Sequence, residues 1–291
     1  MKLDKIQNSS HHTVCVSSST LQDLKIVYED EHIVVIDKPA SLLCVPGKGG
    51  GGSLIQAVYD AIGCEMDSMD KMVVHRLGMD TSGLVVFAKT NSGMRGMNAL
   101  FRSREVSRKY EALVCGHMSN DYGVIDMPLM RCLLHPPYMR VSTNMAQCFI
   151  ASLDLTTKDL AKKYLEMPKD SLTEYKVIAR EELNGQPVTR VELVSISGRT
   201  HQLNVHLAAF GHPIVGDHTY GIDGETEPNG GLSDEELTLF PENPSRVSGD
   251  IERAIMQAAS GRGMFVHAKS ISFQHPTDTR RQVSLSSTPP F

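Results

Sequence analysis

No stretch of about 18 consecutive apolar residues occurs in this chain of 291, so nothing in it reads as a membrane-spanning helix. The first twenty residues are polar and rich in Ser and His. They lack the apolar core of a secretory signal. Arg is missing there and Asp4 is present, which speaks against an organelle transit peptide. Residues 1–23 therefore read as a flexible leader, and the protein as intracellular, with the cytoplasm the simplest compartment. The six cysteines, at 15, 44, 64, 115, 132 and 148, form no CxxC pair. Zinc sites usually draw two ligands from such a pair, so the thiols read as structural ones in a reducing compartment, with no metal expected. The glycine run in PGKGGGGS (46–53) lacks the GxxxxGK[ST] spacing of a phosphate-cradling loop and reads as a flexible loop. Positive charge is also short overall: 29 Lys and Arg against 34 Asp and Glu leave a net charge of −5.

The positive charge that exists is concentrated. Between Lys71 and Lys109 stand Arg76, Lys89, Arg95, Arg102, Arg104 and Arg108, opposed only by Asp80 and Glu105. Acid collects at Glu181–Glu182, in 222–250 and near the N-terminus. A nucleic-acid partner needs local Lys and Arg, and this asymmetry provides them, although a charge run by itself is more often a solvated face.

Hydrophobic residues make up 41% of the chain, enough for a sizeable core. Residues 24–36 read as two short strands about a Glu-Asp-Glu turn, closed by Lys38-Pro39. Strands are expected at 84–89, 109–115, 173–180, 187–196, 264–274 and 281–285, with Asn184-Gly185 as a hairpin turn. Helices are expected at 53–62, at 91–104 with Asn91 as cap, at 200–210 and at 250–259, with a short one near 156–166. The Met94, Met97, Leu100 and Phe101 stripe reads as core. From 117 to 172 the pattern weakens. The acidic, Gly- and Pro-rich stretch 222–250 reads as a surface insertion. Strands and helices without regular βαβ alternation give an α+β fold.

Three segments carry a resemblance. His75-Arg76-Leu77-Gly78-Met79-Asp80-Thr81-Ser82-Gly83-Leu84 is similar to HRLDxxTSGL. Val106-Ser107-Arg108-Lys109-Tyr110-Glu111-Ala112-Leu113-Val114-Cys115-Gly116 is similar to V-x-K-x-Y-x-A-L-V-x-G. Gly198-Arg199-Thr200-His201-Gln202-Leu203-Asn204-Val205-His206-Leu207, followed by Gly211-His212-Pro213-Ile214-Val215-Gly216-Asp217 and Tyr220-Gly221, is similar to GRTHQ[IL]RxHL…GHPIxGDxxYG. These are signatures of the RluA-type pseudouridine synthases. Asp37-Lys38-Pro39, Thr173-Glu174-Tyr175 and Val266-His267-Ala268 are weaker echoes in the same order.

The resemblance implies one catalytic domain over 24–291: a mixed, mainly antiparallel sheet with flanking helices around a central RNA-binding cleft. It implies isomerisation of uridine to pseudouridine in ribosomal or transfer RNA, without cofactor or metal. Such enzymes must take the target base out of its stack. An aspartate then acts at the sugar or base and needs a cation to stay ionised in a dry cleft. Carried over by motif, that aspartate belongs at position 78, which is Gly78. The cation is Arg199, and Tyr110 is the platform beneath the uracil. Arg76, with His75, Arg108, Lys109, Thr200, His201 and Gln202, belongs to the RNA-facing side, while the imidazoles of His75, His201 and His206 also suit structural hydrogen bonds.

Glycine can neither attack nor ionise. Asp80 lies two residues on, which displaces a side chain in extended chain by roughly 6–7 Å, so it is a poor substitute carboxylate. Asn204 stands where the pattern has arginine, and Arg108 where it has lysine. Two further readings stay open. One is a catalytically inactive homologue that binds RNA. The other is a protein-interaction module built on the 222–250 insertion.

Overall fold

The computed structural model describes residues 24–47, 52–153, 168–238 and 245–291. The expected leader, most of the glycine run, the helix near 156–166 and part of the insertion lie outside the described residues. Strands β1 (Ile26–Glu29) and β2 (Ile33–Lys38) pair antiparallel, and β2 pairs with β3 (Ser82–Ala88). The turn between β1 and β2 is fixed by Asp30, whose Oδ1 accepts from the backbone of His32 and Ile33 at 2.8 and 3.0 Å. All of β3 and nearly all of β2 are buried. Their continuous apolar runs mark strands covered on both faces.

β4 (Ser107–Cys115), β8 (Leu172–Leu183), β9 (Gln186–Ser195), β10 (Val266–Gln274) and β11 (Gln282–Ser286) complete the sheet with β5 (Tyr122–Asp126). The order is β1-β2-β3-β10-β4-β9-β8-β5, with β11 on the outer half of β10. Every pairing is antiparallel except β3 with β10. That contact is close: a Cβ at Gly83 would stand 2.4 Å from the carbonyl oxygen of Ala268, at a backbone φ of +109°. Only glycine fits there. Asn184 and Gly185 both take positive φ, 51° and 78°, the two-residue turn that a twisted hairpin requires.

Helix α1 (Leu54–Ile62) starts at Ser53, as expected. Helix α2 (Asn91–Ser103) is capped by Thr90 and not by Asn91. Thr90 keeps an extended backbone and its Oγ1 accepts from Gly93 N at 3.1 Å, which makes Asn91 the first helical residue. The weakly patterned middle holds β5, the two-stranded β6 (Leu129–Arg131) and β7 (Met139–Val141), and helix α3 (Asn144–Ser152). Strands of three residues are too short to show a period. Helices α4 (Gln202–Phe210) and α6 (Gly249–Ala258) match the expected ones within two residues, with the one-turn α5 (Asp234–Leu237) between them.

The main core lies between the sheet, α1 and α4, and contains Tyr110. A second cluster joins α2 to Ile33, Val35, Leu84, Val86 and the β10–β11 arm. A third places α6 on Leu113, Cys115 and Val188. The 222–250 stretch is not merely a surface appendage. Thr226, Gly230, Gly231, Leu232 and Glu236 are buried, and Glu236 pairs with Arg140 of β7 at 3.2 Å. Its acidic composition hid this because the neutralising arginine is remote in sequence.

Candidate active site

Residues 75–81 form an irregular approach to β3, closed by a turn in which Thr81 N donates to Gly78 O at 3.3 Å. Gly78 is exposed, and a Cβ there would meet only Thr81 Oγ1 at 3.4 Å, an ordinary contact. The backbone at 78 therefore has room for a side chain. The turn is anchored from below. Leu77 is buried and its N–H donates to Cys44 Sγ at 3.4 Å. Lys38, 1% exposed, donates from Nζ to the carbonyls of Pro39, Leu42 and Met79, each at 2.8 Å. All three ammonium protons are thus used, one of them on the turn that carries Gly78. Burial lowers the Lys38 pKa to about 8. Asp80 is half-buried, and burial raises its carboxyl pKa; Lys38 opposes that shift, while Asp217 and Glu225 add to it.

The ring of His75 turns inward. Its Nε2 accepts from Val86 N at 2.9 Å and it packs on Phe101 at 4.7 Å between ring centres. Burial, then the Arg108 charge, lowers its pKa to about 3, so the imidazole is neutral. The expected RNA contact from this ring is corrected: it supports the edge of β3. Arg76 points outward, near enough to Cys44 and His201 to perturb both electrostatically.

On β4 the period of two separates the expected residues. Arg108 and Tyr110 share one face, while Lys109 lies on the other and pairs with Glu192 at 2.8 Å. Lys109 is therefore removed from the cleft side. Arg108 crosses the Phe101 ring at 5.5 Å, and its Nη2 lies 3.0 Å from where a Cβ of Gly198 would stand. Tyr110 is 7% exposed, and among the described residues its hydroxyl has no hydrogen-bond partner. Beside it on β9 is Leu193, and beyond that Tyr175 of β8, which packs against Phe210 of α4.

Gln202 is not an RNA-facing residue. It is 2% exposed. Its Oε1 accepts from Ser197 Oγ and Arg199 N, each at 2.8 Å. Its Nε2 donates to Leu172 O at 2.8 Å and Thr173 Oγ1 at 3.0 Å. Every polar position of the amide is satisfied, and the turn carrying Arg199 is clamped to β8. Arg199 itself donates from Nε to Asp170 O at 3.2 Å and has no carboxylate partner among the described residues. Thr200 is exposed. His201 opens α4 at φ 50°, and its Nδ1 meets Tyr220 Oη at 2.7 Å; burial lowers its pKa. His206 is buried between Thr173 Oγ1 and Met127 O, each 2.9 Å away, a structural role as expected.

The structure thus sets Arg108 on the same strand face as Tyr110 and against Gly198, brings Arg76 near His201, which follows Arg199 and Thr200, and moves His75, Lys109 and Gln202 to supporting positions. It adds Lys38, whose motif had been read as a strand end and a weaker echo of the family. It also adds Asp217, buried, which accepts from Thr219 N, Tyr220 N and Asn204 Nδ2. Asn204 therefore fills the position of the expected arginine by hydrogen-bonding Asp217 without a charge.

The family model described as RNA pseudouridylate synthase matches residues 32–209, more than half of the chain. The chain belongs to that family, whose members are isomerases acting on RNA. Its relatives narrow this to the RluA type. It is 33% identical over 271 residues to the dual-specificity RNA pseudouridine synthase RluA of Pasteurella multocida, covering 92% of this chain and 94% of that protein. It is 37% identical over 195 residues to the protein of the same name from Yersinia pestis, covering 67% of this chain and 81% of that one. Among solved structures, human RNA pseudouridylate synthase domain containing 1 aligns with a TM-score of 0.64 at 22% identity, over 93% of this chain and 85% of that one. Human domain containing 4 aligns at 0.60 and 23%, over 94% and 92%. These two support the fold alone.

Proposed function

We propose that the depression bounded by Arg76, Arg108, Tyr110 and Arg199 receives a uridine flipped out of a structured ribosomal or transfer RNA inside the cell. The uracil lies on Tyr110, whose hydroxyl is left for the base, and Arg199 faces the sugar and phosphate. Arg76 and Arg108 hold the flanking backbone and occupy the space the base leaves. No metal or organic cofactor takes part. Isomerisation by this family's chemistry needs a carboxylate at position 78, and Gly78 withholds it, so the chain as it stands captures uridine and is deficient in turnover. Asp80 does not replace that group, because it lies two residues on, a displacement of roughly 6–7 Å in extended chain.

The observation that carries this reading is that Arg76, Arg108 and Arg199 have no carboxylate partner among the described residues, with Arg108 on the strand face of the buried Tyr110 and against Gly198, next to Arg199. A cation left unpaired beside a cleft is poised for an anionic ligand. The test is pseudouridine formation in total RNA, followed by nucleoside chromatography and mass spectrometry, for the natural protein and its Gly78→Asp variant. The variant is expected to fold with little change in stability, since a Cβ there meets only Thr81 Oγ1 at 3.4 Å, and to make pseudouridine where the natural protein makes little or none. Equal activity in both would move the nucleophile elsewhere, with Asp80→Asn the next variant. RNA binding by both without turnover in either favours the inactive RNA-binding homologue.

A further inference from the structure

Helix α2 contains no acidic residue from Asn91 to Arg104, but three arginines: Arg95, Arg102 and Arg104. All three are exposed. Arg95 and Arg102 are seven residues apart, two helical turns, and therefore share a face about 10 Å long. Arg104 follows at the C-cap with a left-handed backbone, φ 61°. None of the three has a carboxylate within ion-pair distance among the described residues. This sets them apart from most described surface cations, since Lys71, Lys89, Lys109, Arg180, Arg253 and Lys269 all do.

The helix is seated rigidly. A Cβ at Gly96 would stand 2.4 Å from Pro276 O, and one at Gly93 2.4 Å from His32 O, so the backbone of α2 rests directly on the neighbouring loops. Its inner face is the Met97 side, buried against β2 and β3. The arginine face is what remains outside. The C-terminal end of the helix lies beside the candidate site: Phe101, on the inner face, lies between His75 and Arg108, and Arg108 reaches Gly198 beside Arg199. Positive charge near a helix C-terminus is locally stabilised by the dipole, but Arg95 lies in the first half of the helix, where that explanation fails.

We infer that the outer face of α2 is a second RNA-contact surface, an arginine track that binds backbone phosphates of folded RNA outside the cleft. This rests on the RNA reading of the cleft and extends it. The cleft takes the flipped nucleotide, and the track engages the surrounding duplex or loop, so structured RNA binds better than a short single strand. On a chain of net charge −5, such a track confines attraction to one side of the molecule. A rigid helix suits the task, because fixed backbone positions lower the ordering cost of meeting a phosphate path.

The experiment compares unfractionated transfer RNA with a short oligouridine that reaches only the cleft. Binding to the full chain is measured over about 50 to 200 mM salt. The variants are Arg95→Gln/Arg102→Gln/Arg104→Gln and the matching triple Lys replacement. Loss of three phosphate contacts is expected to weaken transfer RNA binding at least about tenfold and to make the log–log salt slope shallower by roughly 2 to 3. Oligouridine affinity stays within about twofold, and the Lys triple retains most of the slope, because the track works as point charges. An unchanged slope for transfer RNA overturns the track. So does an equal loss for both RNAs, which would mean a general folding or field effect. If the natural protein binds oligouridine but gains nothing from transfer RNA, the cleft reading stands and the track falls. If it binds neither, both fall.

Discussion

Single side chains hold the turns of the proposed site in place, and Gln202 shows how. It sits in a motif whose residues were assigned to the RNA-facing side, and nothing in its type distinguishes an amide that reads RNA from one that holds backbone. The structure distinguishes them by burial and by four hydrogen bonds to Ser197, Arg199, Leu172 and Thr173. Gln202→Leu keeps the volume but leaves those groups unpaired. It is expected to cost about 3 kcal/mol, seen as a lower urea midpoint. RNA affinity falls further than that of a surface control, since the Arg199 turn loses its clamp. A variant as stable as the natural protein would mean that water replaces the amide. Lys109 was a different kind of error. Its displacement from Tyr110's face follows from strand period alone and was legible in the sequence, whereas the inward turn of His75 depends on Phe101, a residue on another element.

At the level of elements, legibility followed pattern length. The buried β2 and β3, the Asn184-Gly185 hairpin, the Ser53 helix start and the body of α4 were readable, because each carries several agreeing local signals. The strands β6 and β7 were not, and neither was the seating of the acidic insertion. That seating depends on Arg140, which donates to Gly231 O and pairs with Glu236, whose carboxylate also accepts from Thr143 Oγ1 and Ser233 N. Glu236 closes a capping box on α5 while 4% exposed. Arg140→Met strands that carboxylate in the interior and is expected to cost about 3 kcal/mol, the lower end for a broken buried pair because the hydroxyl and N–H partners remain. Adding Glu236→Gln should recover a large part, since no charge is then buried. Thermal unfolding of the two variants checks this. Equal stability of single and double variants would show that the insertion is tethered by its apolar contacts, with Leu232 foremost, and not by the ion pair.

Across the whole molecule, several motif histidines are built into the interior as neutral rings, and this sets how the fold answers to acid. Burial, with Arg108 added for His75 and opposed by Met127 O and Asp126 for His206, lowers these two pKa values to about 3 and about 4. Burial lowers His201, His212 and His267 as well. In the unfolded chain each ring takes a proton near pH 6.5. Below that value the unfolded state binds protons that the fold refuses, so stability is full above pH 6.5 and falls as pH drops towards 4. The slope is on the order of 1.4 kcal/mol per pH unit for each such ring. Asp30 acts in a separate window. Burial pushes its carboxyl up, but hydrogen bonds from Tyr28, Ile33, His32 and His275 outweigh it and hold the pKa at about 2, so its contribution is lost only as pH falls from about 4. Urea midpoints at pH 7.5, 6 and 5 should therefore decline before Asp30 titrates. His75→Gln, which keeps an acceptor for Val86 N and removes the titration, should flatten part of that decline. A profile level from pH 7 to 5 would require rings that protonate within the fold, and with them a cleft wall far wetter than the packing of His75 on Phe101 allows.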